Sequence, residues 1–89
     1  MADGPNRMKV FAYVYILEST ASVGRFYVGL TGDLAARLAK HNEGGVSHTA
    51  KFRPWQIKTV VAFRNREKAA AFERYLKSPS GRAFSKKRL

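Results

Sequence analysis

Between Tyr27 and Asn42 the chain changes its hydrophobic period, and that change limits what it can fold into. Before it the residues alternate. In Arg25-Phe26-Tyr27-Val28, Phe26 and Val28 share one face while Arg25 and Tyr27 share the other, as in a strand. Gly29 and Gly32 bracket a turn, Thr31 is a good N-cap, and Asp33 falls in the first helical turn, where a negative charge suits the dipole. The pattern predicts a helix starting near Gly32. At about 100° per residue from Leu34, Leu38 lies at about 40°, His41 at about −20° and Arg37 at about −60°. Arg37 and His41 therefore flank the apolar stripe by which this helix meets a sheet. Two readings stay open: Arg37 meets a phosphate beside the strand tyrosine, or it snorkels past the stripe and His41 is a histidine favoured by the helix C-terminus.

The sheet is read from the flanking segments. Met8 to Leu17 is rich in β-branched and aromatic residues, with Tyr13, Tyr15 and Leu17 alternating with Ala12, Val14 and Ile16. Both faces are apolar, which predicts a central strand. Ser19 to Gly24 is small and polar and suits a hairpin connection. In an antiparallel pair Tyr15 and Tyr27 then lie on one face, and with the helix carrying Arg37 they begin to outline a pocket. Met1 to Arg7, with Gly4 and Pro5, reads as a flexible N-terminal tail, leaving 8–89 as a single domain with one modest core.

Glu43 to Pro54 is a basic, glycine-containing loop with room for one helical turn. Trp55 opens a third strand to Phe63, with Ile57, Thr59, Val61 and Phe63 on one face. Trp55 is a core anchor or a base-stacking platform. Asn65 can cap a helix over Arg66–Lys77, whose stripe is Phe72, Tyr75 and Leu76. Glu73 lies off the centre of that stripe. It either pairs with Lys77 one turn later or serves as the acid of a site. Pro79 stops the helix, and Ser80 can cap a short last one with a basic end.

Charge narrows the partner. The chain carries 17 Lys and Arg against 6 Asp and Glu, a net charge of +11. So large an excess self-repels in a compact state, and a polyanion is its usual counterpart, DNA or another nucleic acid before an acidic membrane surface. Arg25, Lys40, Lys51, Arg53, Lys77, Arg82, Lys86 and Lys87 are the candidate phosphate contacts. For the loop and terminal cations a solvated surface is the alternative. No apolar run approaches the ~20 residues of a membrane span, and the start of the chain has no signal-peptide core. The absence of cysteine excludes disulfides and thiolate metal sites, and cytoplasm is the default compartment.

Taken together, Val14-Tyr15, Tyr27-Val28-Gly29, Arg37, His41-Asn42 and Phe72-Glu73 resemble the GIY-YIG nuclease superfamily in order and spacing. The match runs from about Tyr13 to Lys77. The chain looks like a small stand-alone bacterial member, similar to the nuclease domain of the excinuclease C subunit and to structure-specific nucleases of branched DNA. The resemblance implies an α+β fold, a three-stranded antiparallel sheet flanked by helices. It also implies hydrolysis of DNA phosphodiesters, on branched or damaged DNA, with a divalent metal, Mg²⁺ or Mn²⁺. By position Tyr15 and Tyr27 match the two motif tyrosines, Arg37 the catalytic arginine, His41 a histidine found in several branches, and Glu73 the metal-binding glutamate. Tyr13 departs from the pattern, standing where the first motif has glycine.

The residue types suit that chemistry. Phosphodiester hydrolysis needs an activated water, relief of charge in the transition state and a stabilised leaving oxygen. Mg²⁺ accepts a single carboxylate when phosphate oxygens and waters fill its shell, so Glu73 suffices, and the scattered acids argue against a pair of metals. Arg37 would hold the non-bridging oxygens. Tyr15, with a reference pKa of about 10, serves as base if Arg37, the metal and the overall charge draw its phenol toward phenolate or if it acts only transiently, and His41 either takes the proton instead or relays it from Tyr15. A catalytically idle nucleic-acid-binding module of the same fold is the competing expectation. So small a domain also leaves room for a protein partner or a homodimer.

Overall fold

Apolar on both faces, Ala12–Ser19 forms the central strand β1, paired antiparallel on each side with β2 (Phe26–Thr31) and β3 (Trp55–Phe63) in the order β2-β1-β3. The computed structural model describes residues 11–89. The expected tail, and the Met8–Val10 start of the expected first strand, lie outside the described residues. Among the described residues three helices complete the fold, α1 (Leu34–Asn42), α2 (Arg66–Leu76) and α3 (Pro79–Arg88), with a 3₁₀ turn at Ala50–Phe52 where the loop had room for one. This is the α+β architecture expected. No helix among the described residues is long and apolar enough to cross a membrane.

Alternation along β1 divides the core in two. Ala12, Val14 and Ile16 pack with Ala69 and Leu76 of α2, joined by Val28, Leu30, Phe63 and Phe72. Tyr15 and Leu17 point the other way and pack with Trp55, Leu34, Leu38, Phe52 and Tyr27. The sheet is therefore a middle layer, with α1 on one face and α2 on the other. Each wholly buried aliphatic such as Val14 or Leu17 contributes about 1.5–3 kcal/mol. Trp55 is 4% exposed, and its indole N–H donates to the Thr49 carbonyl at 2.9 Å, so it is the core anchor.

Helix starts follow the caps, not always the ones expected. The strand before α1 runs on through Gly29 to Thr31, and Asp33 is the N-cap, accepting from the Ala36 N–H at 3.1 Å. Thr31 instead takes the Asp33 N–H on its hydroxyl at 3.1 Å, one step too early to open the helix. Asn65 caps α2 as expected, accepting from the Lys68 N–H at 2.9 Å, and α2 ends at Leu76, with Lys77 as its C-cap. Ser78, not Ser80, caps α3, and Pro79 begins that helix at its first turn, where a missing N–H costs nothing. Gly81 lets α3 pass close to the end of α2, since a Cβ there would strike the Tyr75 backbone.

One strand expectation fails for a register reason. Thr59 pairs with Ile16 and Ile57 with Leu17, which leaves Lys58 as an extra residue in a β-bulge. Thr59, Val61 and Phe63 stay on the α2 face, whereas Ile57 is shifted to the face of Leu17.

Candidate active site

Tyr15 reaches the site because Gly29 has no side chain. The two residues are cross-strand partners, and a Cβ on Gly29 would fall on the hydroxyl end of the Tyr15 ring. The phenol thus lies across β2 while remaining 1% exposed. Tyr27, two residues back on the same face, places its ring 6.3 Å from that of Tyr15.

His41, in the last turn of α1, closes the group. It is wholly buried, with its ring 4.9 Å from that of Tyr27 and 5.8 Å from that of Tyr15, both edge-on. Both nitrogens are engaged: Nε2 lies 3.0 Å from the Tyr15 hydroxyl and Nδ1 lies 2.8 Å from the Thr49 hydroxyl. Thr49 donates its own hydrogen to the Val46 carbonyl at 3.2 Å. Its oxygen must therefore accept from His41, which assigns the proton to Nδ1 and leaves Nε2 free to accept the Tyr15 O–H. The result is a directed chain, Tyr15 to His41 to Thr49 to Val46. A histidine held in this way is not placed by the helix dipole alone.

The electrostatics set protonation. Burial lowers the His41 pKa below its ordinary 6.5, and Arg37 lowers it further, so the ring is neutral at pH 7. Burial also raises the Tyr15 pKa above 10.0; Tyr27 adds to the rise, Arg37 opposes it and Glu73 adds slightly. Within the chain itself loss of water around the phenol outweighs the arginine, so Arg37 alone does not draw Tyr15 toward phenolate. Arg37 is half-buried on α1 and acts on both residues.

Glu73 arrives from α2, on the other face of the sheet, yet its charge is felt at Tyr15. Its carboxylate is bonded to Lys77 Nζ at 2.8 Å, the i,i+4 pairing foreseen as one of its two readings. Among the described residues no three His, Cys, Asp or Glu gather in a group that could hold a metal. A lone carboxylate still suits a hard cation that draws its other ligands from phosphate and water. Lys77 meets one oxygen of that carboxylate, Oε2, and the salt bridge does not engage Oε1.

The positions that sequence reasoning passed over are Thr49 and Asn42. Asn42 was grouped with His41 without a role. Its side chain accepts from the Trp55 N–H at 2.6 Å and donates to the Trp55 carbonyl at 3.0 Å, tying the end of α1 to the start of β3. That clamp, with the indole bond to Thr49, fixes the loop that orients His41. A threonine in a loop carries no periodic signal that would have marked it.

The expected phosphate contacts scatter. Arg25 stands 4.3 Å over the Phe52 ring, with Lys51 at 5.4 Å from it. Arg53 lies against Gly44 and Lys40 against Gly45, so both cover the loop. Arg25, Lys77, Arg82 and Lys86 line one groove, together with Lys58, which was not foreseen. Lys87 is exposed near the end of α3 and is not among the groove's residues. Tyr13 pairs with Thr31 and sets its ring 6.4 Å from Phe11, so the departure from glycine is accommodated beside the site.

Comparison with known proteins shows the family. A family model described as the GIY-YIG catalytic domain matches residues 11–88. The structure-specific endonuclease subunit slx1 of Aspergillus fumigatus is 38% identical over 77 residues, which is 80% of this chain and 18% of that protein. The UPF0213 protein of Streptococcus pneumoniae is 37% identical over 67 residues, 74% of this chain and 66% of its own length. The chain thus spans less than a fifth of the slx1 relative and about two thirds of the UPF0213 one. The solution structure of a UPF0213 protein from Bacillus halodurans superposes with a TM-score of 0.52 at 34% identity, covering 85% of this chain and 80% of that one.

Proposed function

The chain belongs to the GIY-YIG family, and on that footing we propose that it is an endonuclease hydrolysing DNA phosphodiester bonds, with branched DNA as its substrate class. The observation that carries the reading is the buried Tyr15–His41–Thr49 chain, which keeps a neutral imidazole ready to receive a proton from a phenol. A water hydrogen-bonded to the Tyr15 oxygen passes its proton to that oxygen as the phenolic proton moves to His41 Nε2. The phenol stays neutral throughout, so its raised pKa is no obstacle. Arg37 binds the non-bridging phosphate oxygens. Once it is neutralised by phosphate, it ceases to oppose the charge arriving on His41. Tyr27 packs edge-on against His41 and holds the ring in place.

Glu73 would hold the divalent cation, Mg²⁺ or Mn²⁺; when bound, such an ion would supply charge relief at the leaving oxygen. Branched DNA is proposed because relatives covering most of this chain are named structure-specific endonuclease subunits. Their being subunits also supports a partner protein for this chain. The Glu73–Lys77 bond favours a second reading, an idle binding module whose carboxylate is permanently paired.

Nicking of flap, branched and plain duplex DNA with Mg²⁺ or Mn²⁺, beside Arg37→Ala and Glu73→Ala, decides between them. The endonuclease reading expects wild-type cleavage that both variants lose by about a hundredfold or more. If wild type cuts no substrate faster than Glu73→Ala while both bind DNA, the idle module stands.

A further inference from the structure

The side of the sheet away from His41 carries a groove of about 830 Å³ between the sheet and α3. Its charged residues are all cations: Arg25 at the start of β2, Lys58 on the bulge of β3, Lys77, and Arg82 and Lys86 one turn apart on α3. Glu18, the cross-strand partner of Phe26, is not among the residues lining it. Like charges one helical turn apart weaken a helix, so Arg82 and Lys86 gain nothing from each other. Both stand where an anion in the groove would meet them.

The groove is also apolar. Ile16 and Leu76 form part of its lining, and Phe26 stands beside them 51% exposed, with Lys58 Nζ 5.8 Å from its ring centre. An exposed aromatic ring among cations is the combination that stacks a base while its phosphates are neutralised. The volume falls in the range of about 300–1,000 Å³ that encloses small molecules, which suits a few unpaired nucleotides. Position links it to the site. Lys77 belongs to the groove and bonds Glu73, and Tyr27 borders both.

We propose that this groove binds an unpaired DNA strand, with a base stacked on Phe26 and its backbone on Arg82, Lys86 and Lys58. The inference rests on DNA being the substrate and names the part of a branched substrate the chain grips: the single-stranded arm. The stacking platform is thus Phe26, not the buried Trp55.

Fluorescence anisotropy in EDTA, with a short labelled oligothymidylate and a blunt duplex of equal length, tests it without any cleavage. Phe26→Ala should weaken oligothymidylate binding about tenfold and duplex binding less than about twofold. The doubly substituted Arg82→Ala, Lys86→Ala chain, altered only at exposed helix positions, should lower the salt slope for oligothymidylate by about 1.4. If Phe26→Ala leaves oligothymidylate binding unchanged or weakens both ligands alike, or if the slope does not move, the proposal is wrong. The readout is independent of catalysis, so a chain that binds as expected but never nicks DNA would sink the endonuclease reading alone.

Discussion

The Tyr15 hydroxyl and His41 Nε2 lie 3.0 Å apart, joining the middle of the central strand to the last turn of α1. Neither group is poised by its pKa alone: the phenol is held above its usual value and the imidazole below. Their contact makes one acceptor of the pair. Removing either member should then cost about a hundredfold or more in nicking rate, and Tyr15→Phe with His41→Gln together should cost little more than one alone. Single-turnover rates for the three variants check this, and independent, multiplying losses would show that the two do not act as a unit.

Thr49 should matter through His41. Thr49→Val keeps the shape but leaves the Nδ1–H without its acceptor, at a cost of about 1–3 kcal/mol in stability. The ring is then free to take the other tautomer, which points a hydrogen at Tyr15. Nicking should fall about tenfold or more, the ¹⁵N shifts of His41 should change, and Thr49→Ser should restore both. Normal His41 shifts in the valine variant would remove Thr49 from the mechanism.

Gly29 is tied to Tyr15 by space. Gly29→Ala should destabilise the chain by about 1–3 kcal/mol, because β1 and β2 fix the backbone on both sides of the clash. In a Tyr15→Leu background, where the ring is absent, the same substitution should cost far less. Urea unfolding of the four chains in this cycle gives the coupling, and equal costs in both backgrounds would place the effect elsewhere.

Stability should fall in mild acid. His41 is harder to protonate in the folded chain than in the unfolded one, so below pH 6.5 the unfolded chain binds more protons. The stabilisation present above pH 6.5 is lost as the pH drops toward the lowered folded value. At the other extreme, Tyr15 resists ionisation in the folded chain, so stability also falls as pH rises past 10.0. Melting temperatures across both limbs, compared with His41→Gln and Tyr15→Phe respectively, should show each slope reduced in its own variant. An acid limb that persists unchanged in His41→Gln would assign it to other groups.

Much of the architecture is written in short-range patterns. The two apolar faces of β1 require it to be central, since an edge or one-sided strand would leave one face in water. The period of Leu34, Leu38 and His41 puts the histidine toward the sheet, and the alternation through Tyr27 puts its ring on the face opposite Phe26 and Val28. These follow from backbone geometry that any neighbour would leave intact.

What the sequence could not hold was anything decided between segments distant along the chain. Thr31 and Asp33 are both competent caps, and the length of the pairing with β1 chose Asp33. The bulge at Lys58 exists only as a mismatch with β1, and it moved Ile57 to the other face while bringing a cation over Phe26. Thr49 acquires its role from Trp55 and Asn42 holding the loop beneath the imidazole. The surroundings of Tyr15 belong with these. Residue types supplied both an arginine that lowers the pKa and a phenol that could be buried, and packing makes lost hydration the larger of the two effects within the chain itself.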